Sequence, residues 1–159
     1  MTRPLKIAFV KARWHDQIVD QVQVGFEAEI KSQGRVCNLR EVHVPGALEM
    51  PLVAKKLAET GNYDGVVCAA LVVNGGIYKH EFVAQAVVDG LVRASMDTGI
   101  PIYSVSLTPH EFQESTDHIE FYSKHFVKKG AEVANAVVMM DALETVSYTH
   151  LRAHETKCY

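Results

Sequence analysis

The feature that most constrains the fold is an uninterrupted apolar run of small and β-branched residues, GVVCAALVV, at positions 65–73. Such a run is typical of a strand that is buried on both faces of a parallel sheet. The pair Gly75-Gly76 follows, and the segment Glu81 to Met96 then repeats apolar residues at helical spacing, with Phe82 on its inward face. A strand buried on both faces requires helices on both sides of its sheet. The sequence therefore predicts an α/β fold with 65–73 in the interior.

Three further strand-like runs occur, at 5–12, 36–44 and 102–107. A helical pattern follows each of them. We expect the first helix to begin with Asp16 as its N-cap and to end at Gly34, and the last part of the chain to form two helices separated by Gly130. Strands that alternate with helices imply right-handed crossovers, so we predict a three-layer αβα sandwich with a four-stranded parallel sheet.

Length and composition limit the class of protein. A chain of 159 residues fits one domain, which we place at 1–146, while 147–159 lacks periodicity and is predicted to be a disordered or non-native tail. The net charge of −3 and the absence of a basic stripe argue against a nucleic-acid partner. No apolar stretch approaches the roughly 20 residues of a spanning helix, so we expect no membrane partner and a cytoplasmic location.

Unusual residues follow the first three predicted strands: Trp14, the segment Gly46 to Glu49, and the segment Gly75 to His80. The carboxyl ends of parallel strands lie at one edge of a sheet, so these residues can surround one ligand. Trp14 could stack a heteroaromatic ring, or it could simply pack. Glu49 could accept hydrogen bonds from polyol hydroxyls, or its charge could complement a helix dipole.

Lys79 and His80 stand where the glycine turn opens a helix. A cation, a group that titrates near neutral pH and the positive end of a helix together suggest anion binding and proton transfer. The alternative is a neutral strand-to-helix turn that binds nothing.

A metal site is not indicated. His110, Glu114 and His118 would share a helical face if a helix began at Pro109, but one face gives poor tetrahedral closure, and a solvated helix face is the default. The three cysteines are scattered without paired spacing, so neither a zinc site nor a disulfide framework is suggested. Cys37 and Cys68 are expected to be small buried hydrophobic residues.

Four segments taken together resemble lumazine synthase. They are RWHD at 13–16, VPGALEMP at 44–51, the Gly75-Gly76 turn with its Lys-His pair, and KGAE at 129–132. The resemblance runs from about Leu5 to Val146 and looks like the divergent, type II branch found in some proteobacteria. It implies a flavodoxin-like fold and the condensation of 5-amino-6-ribitylaminouracil with 3,4-dihydroxy-2-butanone 4-phosphate, without cofactor or metal. It also implies a homo-oligomer, a pentamer or a decamer, with sites between subunits.

The resemblance assigns residues to substrate binding. Trp14 matches the aromatic residue that stacks on the pyrimidine, and the others match the ribityl loop (Ala47, Leu48, Glu49), the segment whose backbone lines the ring (Leu71, Val72, Val73) and the phosphate-binding turn (Gly76, Ile77). Two positions depart from the family. Ser104 stands where an aromatic residue is usual, and His118 is the best substitute for a phosphate-contacting arginine.

The catalytic histidine of the family has two candidates here. A gap-free match places Lys79 at that position, and a shift by one residue places His80 there. Glu132 matches the acidic residue that orients the histidine. Two other functions stay open: a lumazine- or riboflavin-binding paralogue with little turnover, and a structural shell-forming protein.

Overall fold

The computed structural model describes residues 3–73, 79–109 and 112–158, with side chains described as far as 145. The strands are β1 (Leu5–Ala12), β2 (Cys37–Val44), β3 (Gly65–Leu71) and β4 (Ile102–Leu107). The helices are α1 (Asp16–Ser32), α2 (Met50–Glu59), α3 (His80–Thr98) and α4 (Thr116–Cys158), and a 3₁₀ turn at Ala47–Glu49 precedes α2. Strands and helices alternate as predicted, and the bounds of β1 and β4 agree with the predicted ones.

The strands form one parallel sheet in the order β2-β1-β3-β4. Helices α1 and α4 cover one face, and α2 and α3 cover the other. This order is the first part of the 2-1-3-4-5 order of flavodoxin-like folds. The predicted three-layer αβα sandwich is confirmed, with β1 and β3 inside and β2 and β4 at the edges.

Alternating side chains of the inner strands divide the core into two layers. Ile7 and Phe9 point towards α1 and α4, where the rings of Phe9 and Phe26 meet edge-on at 5.4 Å between centroids. Ala8 and Val10 point towards α2 and α3. Every residue of β3 is buried, which explains its uninterrupted apolar sequence. The two layers fix the carboxyl ends of the inner strands relative to each other.

Helices α1 and α4 cross at two glycines. Gly130 lies inside α4, so the predicted helix break at this residue is wrong. A Cβ at Gly130 would overlap the carbonyl oxygen of Val22, and a Cβ at Gly25 would overlap that of Val127. Glycine is therefore required at both positions because two helix backbones come into contact there.

The start of α1 also differs from the prediction. The N-cap is His15, with φ 57° and ψ 42°, and Asp16 is the first helical residue. Asp16 lies in the first turn, where its negative charge complements the helix dipole. The predicted inward position of Phe82 in α3 is wrong as well, because its side chain is 67% exposed.

Helix α4 begins only at Thr116, so Glu114 and His118 do not share the helical face that was considered for a metal site. Glu114 precedes the helix, and His110 lies outside the described residues. Among the residues that the structure describes, no group of three His, Cys, Asp or Glu side chains could hold a metal ion.

The remaining sequence expectations concern cysteines and the end of the chain. Cys68 is buried, and Cys37 packs half-buried against the core; burial raises the pKa of the Cys37 thiol to about 11, so it stays protonated near neutral pH. No helix in the described part of the chain is long and apolar enough to cross a membrane. The backbone of α4 continues as helix to Cys158, unlike the irregular chain expected there. Whether 147–159 belongs to the natural protein stays a prediction.

Candidate active site

The carboxyl ends of β1 and β2 are joined at one edge of the sheet. The N–H of Arg13 donates to the carbonyl oxygens of Val44 (2.9 Å) and Pro45 (3.3 Å). The Arg13 guanidinium is held by Asp20 of α1, with 2.7 Å between Nη2 and Oδ1. The residue after Arg13 is thereby placed beside the turn that follows β2.

Trp14 lies over that turn. Its side chain is 67% exposed, and its Cζ3 and Cε3 atoms lie 2.7 and 2.9 Å from the position that a Cβ of Gly46 would take. The backbone of Gly46 is extended, so the approach of the ring, and not an unusual φ, requires glycine. An exposed indole that is backed by a fixed turn is suited to stacking a flat ring.

The 3₁₀ turn holds the next three candidate residues. Oε2 of Glu49 accepts a hydrogen bond from the N–H of Gly46 at 3.0 Å. Ala47 is buried, whereas Leu48 and Glu49 are exposed. One carboxylate oxygen of Glu49 therefore stabilises the turn beneath Trp14, and the carboxylate keeps capacity to accept a ligand hydroxyl on its second oxygen. The two interpretations offered for Glu49 are compatible.

Leu71, Val72 and Val73 end the third strand and begin the loop after it. The side chains of Leu71 and Val72 are buried, that of Val73 is half-buried, and the N–H of Val72 donates to the carbonyl oxygen of Leu107 at 2.8 Å. Because these side chains serve the core, a ligand at this edge would meet backbone groups. Gly76 and Ile77 lie outside the described residues.

The start of α3 separates the two candidates for proton transfer. Lys79 is the N-cap residue, with φ −71° and ψ 143°, and its side chain is exposed. His80 is the first helical residue and is only 7% exposed, with its Nε2 3.9 Å from Oε1 of Glu81. Lys79 therefore faces solvent at the positive end of the helix, whereas His80 is packed inside.

Glu132 is separated from both candidates within one chain. It lies on α4, which shares its face of the sheet with α1, whereas α3 covers the opposite face. Its carboxylate accepts a hydrogen bond from Nζ of Lys129 at 2.9 Å, and this bond lowers the pKa of the Glu132 carboxyl. Within one chain, Glu132 therefore lies on the other side of the sheet from the helix that carries both candidates.

His118 lies at the beginning of α4 among aromatic rings. Its Nδ1 accepts a hydrogen bond from the N–H of Gln113 at 3.1 Å, so the proton of the neutral imidazole is on Nε2. The ring of Phe112 lies between His118 and His15, with centroid distances of 6.3 Å and 5.2 Å. In this state His118 offers an anion one donor, where arginine would offer a fork of two.

Ser104 lies in the exposed edge strand. It pairs with Cys68 of β3, and its Oγ accepts a hydrogen bond from the N–H of Ser106 at 3.3 Å. Position 104 thus presents a hydroxyl where the resemblance predicts an aromatic ring.

One chain brings most of the candidates to a single edge of the sheet: Trp14, the turn Ala47–Glu49, the end of β3, Lys79 and His118. Glu132 lies apart on α4, and Ser104 lies on the outer edge strand. Sequence reasoning missed the contact between His15, which follows β1, and Phe112, which follows β4. A signal for His15 existed, because histidine tolerates a left-handed backbone better than most residues do and stands between a strand and a helix. Phe112 carried no local signal.

Comparison with known proteins identifies the family. The chain matches the family model of 6,7-dimethyl-8-ribityllumazine synthase over residues 4–145. It is 52% identical over 133 residues to 6,7-dimethyl-8-ribityllumazine synthase of Rhodococcus erythropolis, covering 83% of this chain and 86% of the relative. It is 50% identical over 130 residues to 6,7-dimethyl-8-ribityllumazine synthase 2 of Pseudomonas syringae pv. tomato, covering 81% and 76%.

A solved structure supports the fold alone. An oxidoreductase from Corynebacterium diphtheriae is 12% identical, with a TM-score of 0.50 over 87% of this chain and 99% of that one. The sequence relatives have much higher identity, and the family model spans all four strands and the segments that follow them. The chain belongs to the 6,7-dimethyl-8-ribityllumazine synthase family.

Proposed function

We propose that the protein condenses 5-amino-6-ribitylaminouracil with 3,4-dihydroxy-2-butanone 4-phosphate, giving 6,7-dimethyl-8-ribityllumazine and phosphate. The observation that carries this proposal is the position of the Trp14 indole over Gly46. The Glu49 carboxylate lies beside it and accepts a hydrogen bond from the N–H of Gly46. A flat ring and a polyhydroxyl chain are the two parts of the ribitylaminouracil. A stacking surface next to a carboxylate fits both. The proposal includes a cytoplasmic location.

The substrate's own amine forms the imine, so the protein needs no covalent nucleophile. Its tasks are to orient two substrates, to bind phosphate and to move protons during imine formation, phosphate elimination and ring closure. No step of this proposal requires a metal or a cofactor. We place the pyrimidine on Trp14 and the ribityl chain along Leu48 and Glu49, with backbone groups of 71–73 at the ring edge.

We assign proton transfer to Lys79. A proton donor must reach the substrate, and the exposed ammonium at the N-cap of α3 can do so, whereas the imidazole of His80 is buried. The same end of α3 favours phosphate through the positive end of the helix dipole. His118 supplies a further donor through Nε2, and Glu132 of a second copy is proposed to orient the donor.

A homo-oligomer follows from the exposed surface of α3. Phe82, Val88, Val92 and Met96 are exposed and lie within an arc of about 120° on the helix, opposite its buried face. Glu81, Gln85 and Asp89 lie among these apolar residues, a mixture of large apolar and polar side chains that is typical of a surface covered by another subunit. We propose that a second copy covers this stripe, in a pentamer or a decamer whose sites lie between subunits. Native mass spectrometry would identify the assembly, and a stable monomer at micromolar concentration would contradict it.

A steady-state assay with both substrates tests the proposed reaction, with lumazine formation followed by its absorbance. Turnover that saturates with each substrate supports the synthase. Tight riboflavin or lumazine binding with negligible turnover would favour a binding paralogue instead. An assembly that neither binds nor turns over these compounds would leave a shell-forming role.

Trp14→Ala should weaken binding of the ribitylaminouracil by about 1–3 kcal/mol, the range for losing a stacked aromatic ring and its buried area. Titration calorimetry measures this change directly. The unfolding temperature should hardly change, because the side chain is largely exposed. An unchanged dissociation constant would remove Trp14 from the site.

Gly46→Ala should displace the indole without unfolding the turn. The added methyl would lie within 3 Å of two ring carbons, but an exposed side chain can move away, so we expect stability within about 0.5 kcal/mol of wild type. Affinity for the ribitylaminouracil should fall by about 1 kcal/mol as the stacking geometry is lost. Calorimetry and thermal unfolding measure both quantities. Wild-type affinity in this variant would show that the ring position does not matter.

A further inference from the structure

His15 has an unusual backbone conformation beside the proposed site. With φ 57° and ψ 42°, it is the one non-glycine residue with positive φ in the described part of the chain. A Cβ disfavours this left-handed conformation because it approaches the following carbonyl oxygen. Such conformations persist where surrounding contacts hold them, often at functional sites.

Contacts hold His15 on both sides. Its carbonyl oxygen accepts hydrogen bonds from the N–H groups of Ile18 (3.0 Å) and Val19 (3.1 Å) and so begins α1. Its ring meets Phe112 edge-on at 5.2 Å, and its Nδ1 lies 3.7 Å from Oε1 of Glu114. The backbone is therefore anchored to α1, and the side chain is anchored to the segment before α4.

The conformation of His15 determines where Trp14 points. The N–H of Arg13 is hydrogen-bonded to the end of β2, and the carbonyl oxygen of His15 is hydrogen-bonded to the first turn of α1. Trp14 is the one residue between these two anchored residues. We infer that His15 is a positioning residue, whose left-handed backbone, hydrogen-bonded through its carbonyl oxygen to the start of α1, directs the indole of Trp14 over Gly46. His15 acts through Trp14 and needs no contact with a substrate.

His15→Gly and His15→Ala form a matched pair for testing this role. Both remove the imidazole, but glycine adopts the left-handed conformation freely and alanine does not. The chain has one tryptophan, so its fluorescence reports Trp14 alone. In the ligand-free protein we expect His15→Gly to keep the wild-type emission maximum and acrylamide quenching, and His15→Ala to change both.

Kinetics extend the test and rest on the proposed function. His15→Ala should raise KM for the ribitylaminouracil at least tenfold and leave kcat within about threefold, because stacking is lost and the proton donor is untouched. His15→Gly should keep KM within about threefold of wild type. In a Trp14→Ala background, His15→Ala should have no further effect on KM, since two residues that act through one contact are not additive.

Two results would overturn the inference. Wild-type emission and KM in His15→Ala would show that the handedness of the backbone is irrelevant. Altered emission or KM in His15→Gly would show that the imidazole itself is needed. If His15→Ala does not fold, the comparison of His15→Gly with wild type still tests whether the imidazole is needed, and altered emission in His15→Gly would overturn the inference. If the wild-type protein lacks synthase activity, the ligand-free fluorescence measurements still test the positioning role.

Discussion

Replacing Lys79 with methionine should lower kcat for lumazine formation by about 10²- to 10⁴-fold, the usual contribution of a positioned proton donor. Methionine keeps the length and most of the apolar stem, so the loss would reflect the ammonium group and not packing. Because Lys79 is exposed at the N-cap of α3, we expect the variant to fold and to assemble normally. Single-turnover kinetics at saturating substrate would separate this effect from weaker phosphate binding.

His80→Ala is the matched control, one residue further along the chain. It removes a buried ring, so some loss of stability is expected, but a folded variant should keep kcat within about tenfold of wild type if Lys79 is the donor. The opposite result, an active Lys79→Met and an inactive but folded His80→Ala, would assign proton transfer to His80. Loss of activity in both variants would indicate that the pair acts as a unit.

Gly130→Ala should destabilise the protein by about 3 kcal/mol, at the upper end of overpacking effects, because the new methyl group overlaps a carbonyl oxygen of the facing helix. A backbone cannot rotate out of the way as a side chain can, so α1 and α4 must move apart and lose contacts along their length. The higher helix propensity of alanine offsets only about 0.5–1 kcal/mol of this. Chemical denaturation measures the difference, provided that wild type unfolds reversibly.

Gly90→Ala offers the same replacement inside another helix. Its Cβ would meet only the ring of Pro51, at 2.9 Å, so the cost should be clearly smaller than at Gly130. Equal stabilities of Gly130→Ala and wild type would mean that the crossing of α1 and α4 tolerates a wider separation than the structure shows.

Most of the sheet could be predicted because its signals are local. The run at 65–73 is apolar without interruption, and every residue of β3 is buried on one of the two faces. The strand ends could also be predicted to converge, since parallel strands place their carboxyl ends together. For this reason Trp14 and Glu49 were expected at one edge, and both contact Gly46 there.

The errors come from contacts between distant parts of the chain. Gly130 looked like a helix end, but the carbonyl oxygen of Val22 in another helix is the reason for glycine there. Phe82 looked inward by its spacing, because large apolar residues also occur on the exposed side of α3 and spacing alone does not show which of them meet the core. The burial of His80 and the exposure of Lys79 could not be predicted either, because the spacing of two adjacent residues at a helix start does not reveal which side chain faces solvent.

The crossing of α1 and α4 at Gly25 and Gly130 has a consequence for the carboxyl-terminal edge of the sheet. Helix α1 runs for about 14 Å from its first residue to Gly25, and α4 runs for about 21 Å from its first residue to Gly130. The separation of the two axes at the glycines, together with their crossing angle, sets how far apart the helices begin, and His15 contacts Phe112 in the region between those two helix starts. A substitution in the contact between α1 and α4 would therefore alter the position of the Trp14 indole. Substrate affinity would change with it, although no residue that contacts a substrate is replaced.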